Sequence, residues 1–160
     1  MLRPGDAAPR AQVRDLARRP VDLSSLAAAG PALLFFYKGD CPACALAAHA
    51  LPRLAAVPGV AVAAVSQDGE AETRAFAAQH GLGARVTLLL DEAPFQASDA
   101  FGVRATPTWY LLAPGGRVEA AAEGWSRDDA NALAANAAAL AGASPVAVST
   151  AADGPAFRPG

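Results

Sequence analysis

Tyr37-Lys38-Gly39-Asp40-Cys41-Pro42-Ala43-Cys44 holds the only two cysteines of a 160-residue chain, separated by two residues. The apolar run Ala32 to Tyr37 leads into it and the Ala/Leu-rich segment Ala45 to Leu54 follows. A strand, a short turn carrying Cys-x-x-Cys and then a helix is a redox-site layout. At a helix N-terminus a sulfur meets unpaired amide N–H groups and the positive end of the helix dipole, and both favour the nucleophilic thiolate. Pro42 suits the first helical position, where a missing N–H costs nothing. Cys41 is thus expected to be the exposed attacking sulfur, with Cys44 the resolving one a helical turn further in. Chance proximity of two buried cysteines is the bland alternative. Structural zinc needs four ligands, and beyond this pair only His49 and His80 remain, at no recognised spacing, so no metal is expected.

A second landmark is Arg104-Ala105-Thr106-Pro107-Thr108, where a Thr-Pro pair opens another apolar strand, Thr108 to Ala113. Together with Pro4-Gly5-Asp6-Ala7-Ala8-Pro9 and the turn Ala113-Pro114-Gly115-Gly116-Arg117, these motifs resemble the thioredoxin-like superfamily. The likeness is to its redoxin branch, the TlpA-like disulfide reductases and AhpC/TSA peroxiredoxin relatives, and it spans roughly residues 4 to 141. It implies an α/β thioredoxin-like sandwich with a central mixed sheet and an N-terminal extension. Between Cys41 and Pro107 lie 66 positions, room for an extra strand and helix over Val86 to Phe101 that minimal thioredoxins lack. The resemblance also implies a cis proline at Pro107. Its loop would lie against the sulfurs, with the backbone around Thr106 and Pro107 free to pair with an extended substrate.

The implied activity is thiol–disulfide exchange with a disulfide- or dithiol-containing protein, sustained by an upstream electron donor and needing no cofactor. Lys38, the only lysine, and Asp40, where the family often has tryptophan, are candidates for tuning the Cys41 thiol. Asp40 is also a candidate helix cap. Two departures stand out. The family's buried carboxylate, six residues before the first cysteine, is Phe35 here. Its helix proline is replaced by His49, with Pro52 three positions on. A peroxiredoxin-type peroxidase, with Cys41 peroxidatic and Cys44 resolving, is the runner-up. It lacks the threonine or serine and the proline that peroxide binding uses, whose positions hold Lys38 and Leu34. A non-catalytic binding module of the same fold would not need an intact cysteine pair.

The length suits one domain, here residues 1–142, followed by a tail, 143–160, that shows no period and is expected to be extended or mobile. A net charge of −2 and a pI near 5.6, with no basic stripe, argue against nucleic acid. The start has no apolar signal-peptide core, and the uncharged stretch Ala130 to Ala152 is too alanine-rich and polar to span a membrane. A soluble cytoplasmic protein is the expectation, although TlpA-like relatives are often exported. Trp109 and Trp125 are candidates for the rim of the site, with core packing the favoured reading for both. Further elements are a hairpin over Ala11 to Leu23, a bend near Ala48 caused by Pro52, a helix from Asp68 to Gly81 with Asp68 as cap, and a last helix capped by Ser126.

Overall fold

The computed structural model describes all 160 residues. Its centre is the strand Ala32–Tyr37 (β3), whose six residues are all buried. A strand alternates its side chains between faces. Leu33, Phe35 and Tyr37 therefore enter one apolar core, while Ala32, Leu34 and Phe36 enter the other. Covering on both sides explains why this stretch is a continuous apolar run.

Six further strands surround it: Gln12–Asp15 (β1), Pro20–Asp22 (β2), Ala61–Ser66 (β4), Val86–Leu90 (β5), Thr108–Ala113 (β6) and Arg117–Glu123 (β7). The sheet order is β2-β1-β5-β4-β3-β6-β7. β3 runs parallel to β4 and antiparallel to β6, so the sheet is mixed. The strand β5 and the helix Gln96–Phe101 form the extra unit expected between Cys41 and Pro107. Residues before β1 lie along β7, where Gly5 donates to the Val118 carbonyl at 2.8 Å.

The larger core lies under the helices Pro42–Ala47 (α1), Ala50–Ala55 (α2), Glu70–His80 (α3) and Arg127–Ala141 (α5), with Gln96–Phe101 (α4) on the opposite face. The break between α1 and α2 is the bend that Pro52 demands. Without a Pro52 N–H, the Ala48 carbonyl accepts from Leu51 N at 3.1 Å instead. Ser126 caps α5 by accepting from Asp129 N, and Gly142 ends it in the left-handed region at φ +67°.

Residues 143–160, expected to be extended or mobile, are instead docked on the domain, with a short 3-10 turn at Ala151–Asp153. Asn131 on α5 clamps them: its side chain accepts from Val148 N (2.8 Å) and Ser149 N (3.0 Å) and donates to the Ser149 carbonyl (3.0 Å). Val148 is fully buried. Arg53 on α2 grips Asp153 with two hydrogen bonds of 2.7 and 2.8 Å. The chain then closes a second, two-stranded sheet, in which Phe157–Arg158 (β9) pairs antiparallel with Trp125–Ser126 (β8). Apolar periodicity could not reveal this, because the anchors are polar side chains 17 to 100 positions away in sequence.

Truncating Asn131 leaves two buried-end amides and a carbonyl without partners. Asn131→Ala is expected to lose about 1–3 kcal/mol of unfolding free energy in urea. Hydrogen exchange at the Val148 and Ser149 amides should accelerate more than at β3 amides.

Candidate active site at the end of the central strand

β3 ends at the carboxyl edge of the sheet, the usual ligand position in open α/β sheets, and the Cys41 loop begins there. Cys41 is the N-cap of α1: its backbone is extended (φ −84°, ψ 115°) and its sulfur accepts from Cys44 N at 3.2 Å. Pro42 occupies the first turn, as its missing N–H allows. The cap position is therefore taken by the cysteine itself, and Asp40, a candidate cap from sequence, is exposed one residue earlier. Cys41 is partly exposed, whereas Cys44 is fully buried, and both are free thiols.

The Thr106–Pro107 peptide bond is cis, and the Thr106 carbonyl oxygen lies 3.1 Å from Cys41 Sγ, accepting its S–H. Residues 65 apart in sequence thus meet at the sulfur. Thr108 fastens the loop by donating to the Ala105 carbonyl at 2.7 Å, and Gly124 N donates to the Pro107 carbonyl at 2.7 Å.

Lys38 is half-buried, and its carbonyl accepts from Cys41 N at 3.3 Å. No carboxylate lies within 4 Å of its ammonium. Asp68 does not cap α3. The N-cap there is Gly69, with Glu70 and Glu72 in the first turn facing the helix dipole. The Asp68 carboxylate turns the other way and accepts from Gly39 N at 2.6 Å, because parallel pairing of β4 with β3 brings residue 68 beside the loop amides that follow β3. Asp68 is the loop-positioning residue that sequence reasoning missed. The pair is 29 positions apart, and nothing local marks it. Beside it an open groove of about 420 Å³ is lined by Asp40, Asp68, Glu72 and Phe76, so the loop's outer flank is acidic.

Behind the cysteines the environment is apolar. Phe35, in place of a carboxylate, is fully buried, with its ring 4.5 Å from Trp109 and 5.6 Å from Tyr37. The only buried carboxylate, Asp91, accepts from Ala97 N and Ser98 N at the start of α4. Burial, followed by the Cys41 sulfur beside it, pushes the Cys44 thiol well above the ordinary range. The Tyr37 hydroxyl, buried without a hydrogen-bond partner, is pushed up by the same desolvation. Trp109 and Trp125 are core residues, 2% and 1% exposed. His49 faces away from the chemistry. Its Nδ1 meets the Leu46 carbonyl at 2.7 Å and its Nε2 meets Ser149 Oγ at 3.0 Å, which makes it a tail anchor. His49 and His80 join no cluster of three or more potential metal-ligating side chains.

The comparisons agree with this layout. The AhpC/TSA family matches residues 4–121. The Chlorobium tepidum protein described as a thiol:disulfide interchange protein DsbE is 26% identical with a TM-score of 0.75, over 88% of this chain and 99% of its own. MTB DsbF, whose structure is of its mixed oxidised and reduced forms, is 25% identical with a TM-score of 0.68, over 80% and 98%. The peroxidoxin BcpB of Mycobacterium tuberculosis shares the fold at 24% identity and a TM-score of 0.69, over 88% and 96%. No curated protein matches the chain.

A thiol whose pKa is raised by folding keeps its proton in the native state after the unfolded chain has lost it. Above about pH 8.5 the unfolded state then binds fewer protons, and stability falls as pH rises. The urea midpoint of the reduced protein is expected to drop between roughly pH 8.5 and 10.5, and Cys44→Ala should flatten part of that slope. Equal slopes in both proteins would contradict the burial of this thiol.

With the fold, the site geometry and the match over three-quarters of its length in agreement, the chain belongs to the AhpC/TSA family, in the redoxin branch of the thioredoxin-like superfamily.

Proposed function

We propose that this redoxin is a thiol–disulfide oxidoreductase that uses Cys41 and Cys44 as an exchanging dithiol. One observation carries this: a partly exposed cysteine at a helix N-cap, its sulfur 3.2 Å from the Cys44 amide and 3.1 Å from the Thr106 carbonyl, in front of a buried second thiol. The amide N–H aimed at Cys41 supports negative charge on the sulfur.

The Cys41 thiolate attacks one sulfur of a substrate disulfide. A Cys41–substrate S–S bond forms, the substrate S–S bond breaks, and one substrate thiolate leaves. Cys44 then loses its proton, attacks Cys41 Sγ and expels the second substrate thiolate. Two electrons have passed to the substrate and the protein holds a Cys41–Cys44 disulfide, which an upstream dithiol donor of the same chemistry reduces. Phe35 leaves no carboxylate behind Cys44, so the proton departs to solvent or to the leaving thiolate. The resolving step must deprotonate a thiol that burial favours in its neutral form.

Lys38 and Asp40 flank the loop as charges of opposite sign, and the backbone around Thr106 and Pro107 is the edge proposed for an extended substrate. No helix is long and apolar enough to cross a membrane, and a reducing cytoplasm supplies the thiol donors the cycle needs. Peroxidase chemistry is less well served: Lys38 stands where peroxide-binding hydroxyls would be needed, and Leu34 is fully buried in the core on the opposite face of the sheet.

The test is reduction of insulin disulfides set beside consumption of hydrogen peroxide. Cys41→Ser is expected to abolish insulin reduction. Cys44→Ser should accumulate a covalent mixed disulfide through Cys41 that dithiothreitol releases. Peroxide consumption that depends on Cys41, without insulin reduction, would instead establish a peroxidase.

A further inference from the structure

The backbone edge beside Cys41 is already occupied, by the chain's own residues 157–160. A Cβ added to Gly160 would sit 2.8 Å from the Thr106 carbonyl oxygen and 3.3 Å from Ala105 Cβ. That carbonyl is the one in contact with Cys41 Sγ. On the neighbouring turn Gly124 adopts φ +77°. A Cβ there would meet the Arg158 carbonyl oxygen and Gly160 N, each at 3.0 Å, so the segment passes directly over the residue bonded to Pro107. β9 meanwhile pairs with β8, and Arg127 N donates to the Ala156 carbonyl at 2.8 Å.

We propose that residues 157–160 are a specificity element: they cover the main-chain edge on which an extended polypeptide disulfide would dock, while Cys41 stays open to small disulfides. The proposal rests on the dithiol function above. Strand addition requires that an incoming main chain reach the edge, and the segment lies against it. A protein substrate therefore binds only the fraction of molecules in which the segment has lifted, and its apparent affinity falls by that fraction. A small disulfide needs only Cys41, a partly exposed residue.

The segment is built to lift without unravelling what precedes it. Its upstream anchors are side-chain bonds: Arg53 to Asp153, Trp125 Nε1 to the Pro155 carbonyl at 2.8 Å, and Arg127 to the Gly154 carbonyl. From Phe157 onward no side chain makes a hydrogen bond or ion pair, and Phe157 is 66% exposed. Main-chain pairing and the close fit of Gly160 hold it in place. It also lies outside the 4–121 stretch matched to the family.

Two variants test this against the full chain: a chain ending at Ala156, and Gly160→Ala, which keeps the length but puts a methyl against the Thr106 carbonyl. For each, kcat/KM for insulin reduction and the rate of Cys41 with dithiobis(nitrobenzoate) are measured, with thermal melting as the fold control. Both variants are expected to gain about threefold or more on insulin, with less than a twofold change on the small disulfide. Unchanged or reduced insulin rates, or equal gains on both substrates, would overturn the specificity role and leave the dithiol function standing. A full chain inert to both disulfides, and indistinguishable from Cys41→Ser, would overturn the dithiol function and this proposal with it.

Discussion

The contact between the Thr106 carbonyl and the Cys41 sulfur is the constraint on which this architecture converges. Two segments 65 residues apart must arrive within 3.1 Å, and each is delivered by a strand. β3 carries Cys41 to the edge of the sheet, and antiparallel β6 begins beside it just after Pro107. Their register, Phe36 opposite Thr108, is held by side chains buried on both faces, so a slip by one residue would invert both cores together. Loop accuracy is thus inherited from core packing.

The same packing sets the different surroundings of the two sulfurs. Cys41 sits at the cap, where a helix terminus leaves amide groups without intrahelical partners. Cys44 is one turn on, against Phe35 and Tyr37 in the larger core, where a charge finds no compensation. A partly exposed cysteine at the cap and a buried one beneath it are a consequence of helix geometry. Replacing a buried carboxylate by Phe35 exchanges proton-accepting capacity for aromatic packing with Trp109 and Tyr37.

The C-terminal segment adds a second layer. Anchored by Arg53, Asn131, His49 and Trp125, it extends the protein toward the very carbonyl that touches Cys41. Polar groups that otherwise look like scattered surface residues form one docking track. His49 and Trp125 illustrate this: next to the site in sequence or fold, they serve the tail instead of the chemistry.

Much of this was legible in the chain alone. The run Ala32 to Tyr37, the Cys-Pro-Ala-Cys turn, the bend at Pro52, the hairpin through Gly115-Gly116 and the Ser126 cap each follow from local rules of burial, dihedral preference and capping, and so they can be read from neighbours in sequence. The grip of Asp68 on Gly39, the clamp of Asn131 and the placing of Gly160 against Thr106 could not be read that way. Each depends on groups brought together by strand register across dozens of residues. A carboxylate has several amides within its reach, and only tertiary structure decides which one it meets.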